Sequence, residues 1–454
     1  MPTRPYRRAP LATDRSPAGI PYIVSNEAAE RFSFYGMKAI LVVFMTRYLV
    51  DAGGAPDVMS EAQAKSWYHL FSSAVYFTPL LGALLSDVYL GKYRTILSLS
   101  VVYCLGHVAL AVDDTRLGLA VGLGLIALGS GGIKPCVSAH VGDQFGSSNG
   151  HRLARVFGYF YFAINLGAFA STLLTPILLE HWGPHAAFGL PGALMLLATW
   201  VFWAGRYAFV HIPPSGRAFS AQLFSAEGLA TAGRLSVVFA FVAMFWALFD
   251  QTGSAWVFQA QKMDRHFMGV EWLASQIQAI NPILILLLIP FFNAVVYPLA
   301  SRRFELTPLR KIGAGFFITP FAYLLTAQID VWIAAGASPN IAWQLLAYVV
   351  LTSAEVLISI TCLEFAYTQA PTALKSLVMA LFLLSVSLGN LFTSAVNFLI
   401  QGPDGTILLS GPDYYLFFAG AMFLTAVVFV PVAMRYPEKI YLQAEAGDTG
   451  ASAG

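Results

Sequence analysis

Residues Asn26–Lys38 read NEAAERFSFYGMK and run straight into the apolar stretch AILVVFM of residues 39–45. Glu27, Glu30, Arg31 and Lys38 are ionisable groups at the start of a hydrophobic run. At about 100° per residue they share one helical stripe with Phe34 and Tyr35. Glu27 and Lys38 then stand about 16 Å apart along the axis. One face of one helix reads acid, acid, base, aromatic, aromatic, base. Such a face lines a polar interior; it does not face lipid.

The rest of the chain makes that reading a membrane one. Of 454 residues, 57% are hydrophobic, 14% aromatic and only 11% charged, where a soluble chain carries about a quarter charged residues. Spanning the hydrocarbon core takes roughly twenty residues. Apolar segments of that size lie near 28–50, 63–87, 95–112, 117–141, 154–179 and 187–210. A second set lies near 235–260, 272–299, 309–329, 339–368, 373–400 and 413–434. The net charge of +2 leaves no basic surface for nucleic acid. Cys104, Cys136 and Cys362 all fall in apolar stretches without metal spacing, so they read as small core residues, and neither a metal nor a cofactor is expected.

Charge orients the spans. With the N-terminus in the cytosol, eighteen basic residues fall inside and five outside, a strong positive-inside bias. Both termini are then cytosolic. The expected organisation is all-α: a cytosolic tail at 1–20, six spans in 21–211, a cytosolic linker at 212–233, six spans in 234–436, and a small polar, disordered tail at 437–454. Two six-span halves joined by a central linker place a substrate site at the midplane between them.

The remaining basic residues, Arg31, Lys38 and Lys134, fall within spans, as do Glu27, Glu30, His69, Asp250, Glu355 and Glu364. Near a span end any one of them alone also reads as a charge reaching for the interface, but the balance of signs and the ordered spacing point to a common polar interior. Tyr76 follows His69 by two turns, and Tyr161–Asn165 and Trp246–Asp250 are i, i+4 pairs. Lys134 follows the glycine run GSGG, where helices approach closely. Glu355 and Glu364 point to opposite sides of their helix, so only one is expected to face the interior.

These residues also carry a resemblance. NEAAERFSFYGMK resembles the E-x-x-E-R-F-x-Y-Y motif of the proton-coupled oligopeptide transporters, a branch of the major facilitator superfamily, with Phe34 where a tyrosine is usual. GALLSDVYLGKYRT (82–95) looks like that superfamily's loop between spans two and three. FGYFYFAINLGA (157–168) is similar to the F-Y-x-x-I-N-x-G motif, and FWALFDQTGS and LEFAYTQAP (363–371) extend the match. His69 and Asp250 occupy positions shared with the animal members. MALFLLSVSLGN lacks a tryptophan that some bacterial members carry in the eleventh span.

The resemblance implies import of di- and tripeptides with protons by alternating access, in the cell membrane (the inner membrane in a bacterium), by a chain expected to act as a monomer. It implies that Arg31, Lys38 and Lys134 receive the peptide carboxylate, that Glu364 takes the terminal ammonium helped by Asn165 and Asn281, and that Tyr35, Tyr76, Tyr161 and Trp246 wall the site. Glu27 and Glu30 beside Arg31 are candidate proton sites. His69 is another, with Asp250; its unperturbed pKa would be about 6.5. Lys38–Asp250 and Lys134–Glu364 are the implied gating pairs, and Asp87 with Lys92 and Arg94 the implied cytosolic latch.

Other readings remain. A proton-coupled transporter of nitrate or another metabolite would have no need of an ammonium-binding carboxylate. A peptide receptor that does not transport would have no need of intact proton sites. A membrane enzyme would show a metal cluster or a nucleophile–base pair, and neither is legible here.

Overall fold

In a computed structural model, residues 6–214, 216, 225–368, 375–402 and 406–437 are described. Much of the expected linker (215 and 217–224) and the expected disordered tail from 438 onward lie outside the described residues.

The sequence writes helix starts in its capping side chains. Helix α1 (Ile20–Arg47) begins with Pro21 in its first turn, where the missing N–H is not needed. Before α2 (Glu61–Leu84), the Ser60 hydroxyl accepts from the Gln63 N–H at 3.2 Å while the Gln63 side chain accepts from the Ser60 N–H at 3.2 Å. A π-helical turn (Leu85–Leu90) extends α2 to the loop before α3 (Lys92–Val112). Thr115 caps α4 (Arg116–Asp143).

The fifth and sixth expected spans are two helices, labelled together as α5 (Leu153–Ala204), that meet where Gly183 leaves the helical conformation with φ +77° ahead of Pro184. Only glycine enters that region cheaply, and the proline that follows cannot donate. Ser225 caps α6 (Ala226–Phe249), which therefore starts inside the stretch expected as linker. The apolar run begins later than the helix, so hydropathy missed these first two turns.

The second half continues with α7 (Ala255–Gln261), a small β1–β2 hairpin (His266–Phe267 with Val270–Glu271), a 3-10 segment (Ala274–Ala279), α8 (Ile280–Phe291) and α9 (Tyr297–Ser301). It ends with α10 (Pro308–Ala334), α11 (Ala342–Glu355), α12 (Thr361–Thr368), α13 (Lys375–Leu399) and α14 (Pro412–Arg435).

Among the described residues, ten helical stretches are long and apolar enough to cross a membrane. One of them is the pair of helices that meet at Gly183, which supplies two spans, and the charge-bearing α1, 28 residues long, is not among the ten. Twelve spans result.

Within the first half α1 packs on α5, α3 on α4 and α5, and α2 on α4; within the second, α6 packs on α13 and α10 on α11 and α14. A Cβ on Gly82 would collide with the Gly132 backbone, so α2 and α4 touch at the glycine run before Lys134. Helix α3 shows the inverted polarity of a membrane bundle. It exposes Val101, Leu105, Val108 and Val112 along one stripe and buries Ser100, Tyr103 and His107. All three cysteines are buried with free thiols.

Candidate functional site

The stripe of α1 faces inward. Arg31 Nε donates to Glu27 Oε1 at 2.7 Å and stands 3.3 Å from Glu30 Oε2. Both carboxylates are buried, at 2% and 1% exposure. Glu30 also accepts a hydrogen bond from the Ser130 hydroxyl of α4 at 2.8 Å. Two acids therefore share one guanidinium. A buried charge holds its place only when paired and hydrogen-bonded, and adding a proton to either acid leaves Arg31 with one charged partner in place of two.

About two turns beyond Arg31 along α1, Lys38 Nζ lies 2.9 Å from Asp250 Oδ1, at the 3-10 turn that follows α6. This pair joins the two halves, as expected. Asp250 also accepts from Asn390 Nδ2 at 2.6 Å, and Asn390 donates to the Val386 carbonyl at 3.0 Å. Its Oδ1 is thereby turned to His69 Nδ1, 2.8 Å away, so that nitrogen carries the proton. His69 Nε2 meets the Ser254 hydroxyl at 2.8 Å. His69 thus reaches Asp250 through Asn390, in a chain of Lys38, Asp250, Asn390, His69 and Ser254.

The same end of the molecule holds every other hydrogen bond between the halves among the described residues. Ser387 Oγ donates to the Ser73 carbonyl at 2.8 Å, Ser394 Oγ to the Ser66 carbonyl at 2.9 Å, and Gln276 to the Leu173 carbonyl at 2.9 Å. Gln278 reaches the Ala39 carbonyl at 3.4 Å and Gln401 the Ser66 hydroxyl at 3.3 Å. The halves are fastened at the end where α1 finishes, which the charge distribution places outside. No hydrogen bond or ion pair joins them at the other end among the described residues.

That asymmetry corrects the second expected gate. Lys134 makes no ion pair with Glu364: its ammonium has no hydrogen-bond partner and sits 3.7 Å from the Phe34 ring centroid and 4.8 Å from that of Tyr76. Glu364 is exposed on α12. Here the aromatic faces hold the cation in place of a carboxylate. Phe34, the departure from the expected motif, supplies the nearer face.

Two further expectations are corrected. Asn281 stands with Glu355, not Glu364. Its Nδ2 donates to Glu355 Oε2 at 2.8 Å and lies 3.1 Å from Thr352 Oγ1. In the expected latch, Lys92 pairs with Asp143 Oδ2 at 2.7 Å, Asp87 accepts from Ser86 Oγ at 3.4 Å, and Arg94 is exposed without a paired carboxylate. Asp143, at the last turn of α4, comes closer to Lys92 than the residue five places before it in sequence.

The aromatic residues take varied positions. Tyr35 is half-buried, edge-on to Phe34 with centroids 5.4 Å apart. Trp246 packs among Phe245, Phe249 and Phe382 with a buried indole N–H that has no partner. Tyr161 is exposed, and Asn165 donates to its backbone carbonyl at 2.9 Å. Sequence reasoning missed Asn390, Ser254 and Ser130. Asn390 was legible as a lone amide in an apolar span, whereas Ser130 lay hidden in a glycine run.

Comparison with known proteins now decides the family. The model of a family described as "PTR2: POT family" matches residues 93–231 and 226–409. The chain belongs to the POT family. Among its relatives, solute carrier family 15 member 2 of Danio rerio is 37% identical over 379 residues, which cover 72% of this chain and 52% of that protein. Peptide transporter family 1 of Drosophila melanogaster is 37% identical over 361 residues, covering 69% and 48%. This POT chain therefore spans about half the length of the curated relatives it matches. It aligns with the crystal structure of an auto-inhibited POT family peptide transporter at TM-score 0.84 and 38% identity, over 94% of this chain and 99% of that one. A POT family transporter solved in meso gives TM-score 0.84 and 37% identity over 93% and 99%. The fold is that of a polytopic, all-α membrane protein of the major facilitator type, as expected.

Proposed function

We propose that the protein is a symporter that imports di- and tripeptides with protons across the cell membrane, alternating access between two bundles, 21–211 and 234–436, that move as units. The observation that carries this reading is the shared Arg31, held at once by Glu27 and Glu30 in the buried interior. A peptide carboxylate suits a guanidinium, which can grip it with two parallel hydrogen bonds. While both acids are charged they compete for Arg31. A proton on either weakens that hold and frees Arg31 for substrate, so proton and peptide arrive together.

The remaining roles follow from charge. Lys134, held only by aromatic faces, is a second cation for the carboxylate end. Exposed Glu364 is an acid for the terminal ammonium, whereas Glu355 is already engaged by Asn281. Tyr35, Tyr76, Tyr161 and Trp246 offer apolar bodies to variable side chains and polar tips to the peptide backbone. The chain from Lys38 to Ser254 closes the outer end. A second proton on His69, at Nε2, turns Ser254 from donor to acceptor and places a cation one amide away from Asp250, where it rivals Lys38.

Uptake by liposomes that contain only this protein tests the assignment. Labelled dialanine should accumulate under an inward proton gradient, with competition from trialanine and none from free alanine or nitrate. Competition by nitrate in place of peptides would overturn the substrate class.

A further inference from the structure

The N-terminal segment does not hang free in the structure. Tyr6 stacks on His211 with ring centroids 4.2 Å apart, and the His211 N–H donates to the Arg7 carbonyl at 2.8 Å. The segment thereby roofs a cavity of about 570 Å³ at the end of the first bundle that charge places in the cytosol. Arg8, Lys92, Arg94, His140 and His211 are among its lining residues, and none of the described residues that line it is acidic.

Three separate features of this cavity favour an anion. Arg8 and Arg94 are exposed and have no carboxylate within ion-pair distance among the described residues, while Lys92 is answered by Asp143 outside the lining. The cavity also borders the start of α3, a 21-residue helix whose N-cap, Gly91, supplies no side chain to its free N–H groups. At Gly91 φ is +76°, and a Cβ there would press on the Ile212 carbonyl at 3.3 Å, so glycine is what lets the 212–214 wall approach. Finally, His140 is only 1% exposed, lines the cavity and has no partner for Nε2. A buried ring nitrogen left without a partner is costly, and a ligand oxygen would supply one.

We propose that this cavity is a binding site for a phosphoryl group, held by Arg8 and Arg94, the first turn of α3 and His140 Nε2. Arginine forks match tetrahedral oxyanions, and the volume admits a phosphoryl group with a small polar substituent. The group can come from an anionic lipid headgroup or from free phosphate. Either would pin the N-terminal segment to the loop between α2 and α3. The site stands apart from Arg31 and does not depend on the transported solute.

Calorimetric titration of the full chain in neutral detergent separates the sources, with inorganic phosphate as one probe and short-chain phosphatidylglycerol as the other. Arg8→Gln/Arg94→Gln alters two exposed side chains and should weaken binding by about tenfold or more, while Arg302→Gln/Arg303→Gln should not change it. Saturable binding of phosphate, lost in the first variant, assigns a free-anion site. Binding of the lipid alone, lost in the same way, assigns a headgroup site. No saturable binding of either probe, or equal loss in both variants, overturns the proposal.

Discussion

Lys38 on the first helix and Asp250 after the seventh span lie 2.9 Å apart, and the two side chains are only 9% and 11% exposed. They are the one ion pair between the halves that is buried among the described residues; Lys262 and Glu61, 3.4 Å apart, meet in the open. Removing one partner of a buried pair strands the other charge, at about 3–5 kcal/mol, whereas removing both leaves no orphan. Asp250→Ala should therefore open the outer seam, read as faster thiol labelling of a cysteine placed at Ser73. Lys38→Ala/Asp250→Ala should label more slowly than Asp250→Ala. Equal labelling in both would deny that the orphaned charge drives opening.

Lys134 rests on Phe34 and Tyr76, with no carboxylate within ion-pair distance among the described residues. A desolvated cation over an aromatic face gains roughly 2 kcal/mol. Phe34→Leu keeps the bulk and removes the face, so Lys134 should turn to Glu364 and favour closure of the inner end. Spin labels at Ser138→Cys and Lys311→Cys should then show more of a shorter distance. An unchanged distance distribution would mean that Phe34 does not hold the cation.

The two acids of the tenth span should separate by function. Glu355 accepts from Asn281, which also donates to Thr352, whereas Glu364 is exposed. Glu364→Gln should abolish the preference for dialanine over N-acetyl-dialanine, a change of about tenfold or more. Glu355→Gln should keep that preference. The reverse pattern, measured as competition for uptake, would move the ammonium to Glu355.

At the outer surface, Asp264 ties the β1–β2 hairpin to the start of α11. It accepts from the His266 N–H at 3.0 Å and from Asn340 Nδ2 at 2.8 Å, bonds that hold its carboxyl below the usual range, the backbone bond most of all. A lowered carboxyl stabilises the loop above its unfolded pKa, and that contribution fades as pH falls through the lowered value. A spin label at Met268→Cys should loosen only in acid in the parent and already at pH 7 with Asp264→Ala. Equal mobility in both at pH 7 would remove Asp264 as the tie.

Much of this was legible because a charge inside a membrane span has few explanations. The stripe from Glu27 to Lys38 was readable by helical periodicity, and with it the inward face of α1. The partners on other helices were less so. The resemblance places Asn281 with Glu364, but Glu355 lies on the face of α11 that meets α8. It also implies a latch of Asp87 with Lys92 and Arg94, yet the last turn of α4 brings Asp143 to Lys92 at 2.7 Å. Capping by Ser225 started α6 before its apolar run, which hydropathy cannot see. The Lys134–Glu364 pair failed for another reason: under the proposed alternating access a sequence encodes every state of the cycle, and the structure holds one of them.

Competition for Arg31 is the central claim, and Glu30→Gln tests it most directly. The variant keeps the shape of the side chain and its bond from Ser130 but removes its charge and its proton. In liposomes, the variant should still exchange labelled dialanine for unlabelled dialanine down no gradient. It should no longer accumulate dialanine above equilibrium when an inward proton gradient is imposed, while the parent does. Accumulation by Glu30→Gln to the level of the parent would contradict proton coupling through the Glu30–Arg31 pair.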